Sequence, residues 1–469
     1  MASKRIIAII LVAVIAVGGG IAAWFFLLAP GAGTYKWSAS DAPGAPSNIN
    51  ASQIIKIGMA GDIGEIQGDG NYEGAYLAAK QINTAGGLEI NGSTYYFGIT
   101  TEDTDESDPS LVLSRGVSAA RRLIYNKKVD FAIGGFRSEA LLAYQEEFMD
   151  VEMIFIDTGA STDIFTENVR DDYEKYKYFF RFMPINSTSL GGQIIATLVG
   201  FILTMNATYP NHEVKQIGIL AEDLTWTAGM IGAIQANIPL YTNLTTFGTW
   251  EAEVLTPVKY DIMLDATAMN AHLAQLEADG ADIVIPLISA QGGIMMMQQY
   301  ALNNYDFLIF GIDVQSQLDT FWADSGGDAV YETIMQTLHE TNKTTTSIAF
   351  WNAFKTEWGH EPLYTAVGAY DAVMGLRDAI NETQSLRALD IIAVFESWTT
   401  SNPHPGVAGM GAWWPTTHDI VAGFPYGYTL WAQWQPGGVK KVVSGFGLYP
   451  SWLTTGSYLV APWVNATWY

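Results

Sequence analysis

From residue 54 onward, short aliphatic runs of strand length alternate with amphipathic stretches of helical period, and the series runs twice. The first series predicts strands over IIKIGMAG (54–61), TYYFGITTED (94–103), VDFAIGG (129–135) and MIFIDTG (153–159), with helices over 72–83, over 108–126 and from Ser138. RFMPIN (181–186) has no clear period. The alternation then restarts, with helices over 190–203, from Thr227, over 268–279 and over 292–302, and strands QIGILAED (216–223), TTFGTWE (245–251), ADIVIPLIS (281–289) and FLIFGID (307–313). Such a succession buries its strands only in a parallel sheet covered on both faces. The expected fold class is α/β, with two doubly wound, Rossmann-like lobes. A late helix over 365–380 and aromatic segments beyond Gly406 return the chain to the first lobe and then to the second.

Ahead of this region, Ile6 to Leu28 is uncharged and follows Lys4 and Arg5. As a helix it is roughly 34 Å long, enough to cross a hydrocarbon core of about 30 Å. The expectation is a cytoplasmic N-terminus (1–5), an N-terminal transmembrane helix or uncleaved signal (6–28) and a flexible linker rich in Gly, Ala, Pro and Ser (29–53). A cleaved signal peptide is the alternative. Lobe 1 then takes 54–183 with 338–409, lobe 2 takes 184–337 with 410–446, and 447–469 is a C-terminal extension. An outside location agrees with the Asn-x-Ser/Thr triplets at Asn50, Asn91, Asn186, Asn206, Asn243, Asn342, Asn381 and Asn465, which predict glycosylation.

Composition removes whole classes of function. With 48 acidic and 23 basic residues the net charge is -25, and no basic run exceeds a pair, so nucleic acid is excluded as a partner. There is no Cys, and six scattered His form no HExxH, so thiol chemistry and common zinc sites are not expected. Gly68 to Gly74 is not a GxGxxG, and TEDTDESD (101–108) lacks the glycine and glutamate of a calcium loop. No GxSxG, Walker A or SxxK occurs, so neither an enzyme nor a cofactor is predicted.

In open parallel sheets a ligand lies beyond the carboxyl ends of the strands, so the turns there hold the candidates. Arg137 and Ser138 open a helix directly after a strand, where a hydroxyl and free first-turn N–H groups suit a carboxylate. The neighbouring turn, Gly159, Ala160, Ser161 and Thr162, has the same character. In the second lobe, Asp313 ends a strand and could face an ammonium group, while Trp226 there and Tyr364 at the start of the late helix could supply aromatic walls.

These turns, with INTAGGL, FAIGGFRS, IFIDTGASTDI, GILAEDLTWTAGM and IFGIDV in order, resemble the branched-chain amino-acid (Leu/Ile/Val) binding proteins of ABC importers, of the type I periplasmic-binding fold. The resemblance covers about Ile54 to Leu448. It implies two lobes joined by a three-segment hinge that close on an amino acid or amide and deliver it to ABC permease subunits. Ser138, Ser161 and backbone near Gly159 would hold the carboxylate, Asp313 the amine, and Trp226 would cover the ligand. Arg137 departs from the family, whose residue there is usually small or uncharged, and could accept a second carboxylate. The expectation is a monomeric receptor at the cell surface, anchored on the extracellular side of the cytoplasmic membrane, of archaeal type by its acidity and sequons. A ligand sensor without transport, or a glycosylated surface protein reusing the fold, are the alternatives.

Overall fold

The computed structural model describes residues 35–469. The segment 6–28, expected to be an anchor, lies outside the described residues. The first sheet contains β1 (Ile54–Gly61), β2 (Leu88–Ile90), β3 (Ser93–Asp103), β4 (Phe131–Gly134), β5 (Phe155–Asp157) and β6 (Phe179–Arg181), in the order β2-β3-β1-β4-β5-β6. All of its pairs are parallel except the β2–β3 hairpin. The second sheet begins with β7 (Gln216–Glu222), β8 (Glu253–Val254), β9 (Val258–Tyr260), β10 (Ile283–Ile288), β11 (Leu308–Asp313) and β12 (Thr333–Gln336). After two short ladders, β13 (His404–Pro405) with β14 (Met410–Gly411) and β15 (Trp413–Trp414) with β16 (Asp419–Ile420), it is completed by β17 (Leu430–Gln435) and β18 (Val439–Val442). Its order is β18-β17-β12-β11-β10-β7-β8, with β9 also on β7, and only the pairs involving β17 are antiparallel. Every residue of β4, β5, β10 and β11 is buried, as strands covered on both faces require.

The chain crosses between the lobes near 182–186, after β12, and between β16 and β17. This is the two-lobed α/β architecture that the repeated alternation predicts. Helix Ser187–Thr208 is, among the described residues, the one helix long and apolar enough to span a membrane, yet Leu190, Ile194, Leu198, Phe201 and Ile202 place it in the core of the second lobe.

Several local expectations are corrected. The first helix runs over Ile66–Thr84 and so includes Gly68 and Gly70, which the sequence marks as a loop. Close approach explains the glycines: a Cβ on Gly68 would lie 1.9 Å from the Asp62 carbonyl oxygen, and one on Gly74 would lie 2.0 Å from that of Ala366 in helix Tyr364–Thr383. The helix expected from residue 108 starts at Leu113, because Asp108 Oδ1 accepts from the Ser110 N–H and closes a turn instead. No strand forms over 245–251; helix Thr225–Thr245 and the turn after it occupy those residues, and edge pairing falls on β8 and β9.

The stretch expected to be a flexible linker is docked from Tyr35 onward. Trp37 is buried, its indole N–H donates to the Lys127 carbonyl at 2.7 Å, and Asn83 Nδ2 donates to the Pro43 carbonyl. Residues 410–421, expected in lobe 2, pack on lobe 1: Trp413 joins its core, the His418 ring stacks on Phe180 at 3.9 Å, and Asp419 pairs with Arg181. The tail is equally integral, with Tyr449, Leu453, Val464 and Trp468 buried in the core of the second lobe.

Candidate functional site

The carboxyl ends of the two sheets face each other across a narrow cavity. Phe136, Arg137, Ser138, Gly159 and Ser161 line it from the first lobe. Leu224, Trp226, Ser289, Ile312, Val314 and Gln317 line it from the second. Ile185, Thr337 and Thr429 border it from the crossovers, and Tyr364 from the head of its helix.

Buried charge shapes the first-lobe wall. Asp157, the last residue of β5, is fully buried; its Oδ1 accepts the N–H groups of Gly159 (3.0 Å) and Ala160 (2.8 Å), and its Oδ2 pairs with Arg181 Nε (3.0 Å). Arg181, on the adjacent β6, also reaches Asp419 (3.0 Å) and the Thr162 carbonyl (2.6 Å). One guanidinium therefore fixes the turn at both ends. Burial raises the pKa of Asp157, and Arg181 opposes the rise. The two hydroxyl-bearing turns are also tied together, since Ser138 Oγ accepts the Thr162 N–H at 3.2 Å.

The sequence-predicted residues divide. Ser138, Gly159, Ser161, Trp226, Tyr364 and Arg137 all lie on the cavity wall. Ser138 is the first residue of helix Ser138–Met149 and not its cap, which is Arg137. Both backbone groups of Gly159 are engaged: its N–H donates to Asp157 and its carbonyl accepts from the Tyr364 hydroxyl at 3.0 Å. Ala160 and Thr162 are buried behind the wall, with their N–H groups engaged by Asp157 and Ser138. The indole N–H of Trp226 is buried and has no partner.

Asp313 is placed apart from the cavity. Ile312 and Val314 line it, and the alternation of the strand turns the residue between them to the opposite side. There Asp313 is fully buried, its Oδ1 accepts the Gln315 N–H, and a Cβ on Gly293 would sit 1.9 Å from its Oδ2. Burial pushes its pKa up to about 7, and raises that of the neighbouring buried Glu332 as well.

Sequence reasoning missed the supports. Glu222, the last residue of β7, accepts the Ser289 N–H and hydroxyl and the N–H groups of Ala290 and Gln291, so it builds the second-lobe turn as Asp157 builds the first. A charged residue closing an otherwise apolar strand was the available signal. Gln317 and Ser289 stood in turns that the strand-end rule points to, whereas Thr337 and Thr429 sit on crossovers without any pattern. Among the described residues no group of three or more His, Asp or Glu side chains is arranged to hold a metal.

A family model described as "Periplasmic binding protein" matches residues 55–425. No protein of curated function matches the sequence. The structure is similar to a branched-chain amino acid transporter substrate binding protein of Streptococcus pneumoniae in complex with isoleucine, at 17% identity and a TM-score of 0.62, covering 83% of this chain and 99% of that one. It is similar to a leucine binding protein of Thermotoga maritima at 15% identity and a TM-score of 0.64, covering 83% and 97%. It is also similar to an ABC transporter solute binding protein of R. palustris in complex with benzoate, at 17% identity and a TM-score of 0.62, covering 82% and 94%.

Proposed function

Because the chain belongs to the periplasmic binding protein family, whose members are solute-binding proteins and not enzymes, we propose that it is the extracellular receptor of an ABC importer, capturing a small carboxylate-bearing ligand between its lobes and delivering it to the permease. The observation that carries this is the cavity at the facing carboxyl ends of both sheets, with walls from each lobe. Ligand contacts on both walls stabilise the closed arrangement over the open one, which is the signal a permease can read. Ser138 and Ser161 act on the carboxylate and Trp226 covers the ligand. The relatives' ligands, isoleucine and benzoate, fall within this range of size and charge.

On this proposal residues 6–28 hold the receptor at the outer face of the membrane as a monomer. The exposed Asn50, Asn91, Asn342 and Asn381 are the positions open to glycosylation. A surface protein merely reusing the fold would have no need of an unfilled cleft. Isothermal titration of the full-length chain with amino acids, organic acids, amides and polyols tests the proposal. Micromolar binding of one class supports it, and absence of binding across the panel rejects it.

A further inference from the structure

Among the described residues, the cavity wall carries hydrogen-bond donors and one cation, Arg137, but no carboxylate. Each carboxylate at the strand ends is engaged elsewhere: Asp157 by Gly159, Ala160 and Arg181, and Glu222 by the 289–291 turn. Asp313 faces away, behind Ile312 and Val314, and Glu139 accepts the Thr225 N–H and lies 3.4 Å from Arg137 Nε, leaving the rest of that guanidinium, apart from the Nη1 that donates to the Asp108 carbonyl, to a ligand. The one unpartnered buried acceptor on the wall, Gln317 Oε1, is neutral, and three backbone carbonyls of the lining are already engaged. That of Gly159 takes the Tyr364 hydroxyl, that of Ser161 takes Ser187, and that of Ser289 takes Gln67 Nε2. An ammonium group entering here would leave water without gaining a charged partner.

The donor side is the reverse. The buried indole N–H of Trp226 has no acceptor, and the hydroxyls of Ser138 and Ser161 lie on the same wall as Arg137. The rest is apolar, from Phe136, Ile185, Leu190, Ile312, Val314 and Met335. On the receptor function above, on which this specificity rests, we propose that the cleft selects a monocarboxylate with an apolar or aromatic body and no ammonium group. Ser138, Ser161 and Arg137 take the carboxylate, and the neutral amide of Gln317 meets any uncharged polar substituent at the far wall.

The test is isothermal titration of the full-length chain with pairs differing only in the amino group: leucine against 4-methylpentanoate, and phenylalanine against 3-phenylpropanoate. The expected result is that one of the two acids binds at least about a hundredfold tighter than its amino acid, the ratio set by a buried charge without a partner. Arg137→Gln weakens that acid at least about tenfold, the scale of one charge-assisted hydrogen bond, and Asp313→Asn leaves it unchanged. Tighter binding of the amino acid, lost in Asp313→Asn, overturns the specificity and leaves the receptor function standing. Binding of amides or polyols alone does the same. No binding by any compound rejects the receptor function and the specificity together.

Discussion

Glu139 Oε1 on the first lobe accepts the backbone N–H of Thr225, the first residue of a second-lobe helix, at 2.7 Å across the cleft mouth. Deeper in, Gln67 Nε2 donates to the Ser289 carbonyl, also at 2.7 Å. The lobes therefore touch through a carboxylate set at a helix N-terminus, where charge and free N–H groups favour it. Burial pushes the pKa of Glu139 up, but its bonds to Thr225 and the charge of Arg137 outweigh this and leave it below the ordinary glutamate value.

Glu139→Ala is expected to raise the ligand dissociation rate about tenfold, the scale of one charge-assisted hydrogen bond, with little change in unfolding free energy. Since the folded pKa is depressed, the latch is intact at neutral pH and is lost as acidification passes below the ordinary glutamate value. Stopped-flow dissociation at pH 7 and over a series descending below the ordinary glutamate value checks both points. Equal rates in wild type and variant at neutral pH would show that the contact does not hold the cleft shut.

Arg181 is fully buried between Asp157 and Asp419. Arg181→Met leaves two buried carboxylates without a cation and is expected to cost about 3–5 kcal/mol of stability. Ligand affinity should fall as well, because the guanidinium also holds the Thr162 carbonyl and through it the turn bearing Ser161. Urea unfolding reads the first effect and titration the second. A stability loss below about 1 kcal/mol, the range of ordinary substitutions, would contradict this account of the triad.

Asn186 tests the expectation of glycosylation on eight sequons. Its amide nitrogen donates to Asp419 Oδ2 at 2.7 Å and its oxygen caps helix Ser187–Thr208 through the Ser189 N–H, so the atom a glycan needs is buried and engaged. Asn206 is similarly held by both backbone groups of Val214. Glycopeptide mass spectrometry of the mature chain from its own membranes is expected to find any glycans on Asn50, Asn91, Asn342 and Asn381, and none on Asn186. A glycan on Asn186 would mean that modification precedes folding of the first crossover.

What the sequence revealed and what it hid have physical causes. Strands such as β10 and β11 are buried on both faces, so their apolar runs state their nature outright. The strand-end rule pointed to Ser138, Ser161 and Trp226, which lie on the cavity wall. It failed at Asp313 because the rule gives a position along a strand and not a face: one pleat separates the cavity from the region behind it. It also left Gly68 and Gly70 ahead of the helix, since the close approach that requires glycine at Gly70, to Thr365, is long-range. Docking of Trp37 and of 410–421 likewise depends on partners remote in sequence, Lys127 and Phe180, which no local pattern announces.

Lys343 gives a last prediction, at the hinge itself. Its amine is fully buried, donates to the carbonyls of Thr337 and Tyr428 on two different crossovers, and sits 4.4 Å from the centre of the Tyr428 ring. Asp371 is the charged group that faces it, but that carboxylate is already held by the N–H groups of Val407 and Ala408. Burial pushes the lysine pKa down to about 7. The unfolded chain keeps a value near 10.4, so between about pH 7 and 10 it binds a proton that the folded chain has released. Stability contributed by this residue therefore rises with pH across that window and is constant below it, where both states are charged. Lys343→Met, of similar volume, removes the titration. Urea unfolding at pH 7 and about pH 9.5 should show the wild type gaining up to about 3 kcal/mol over the variant at the higher pH. Parallel behaviour of the two proteins would mean that the amine stays charged inside the hinge, held there by the two carbonyls and the aromatic face of Tyr428.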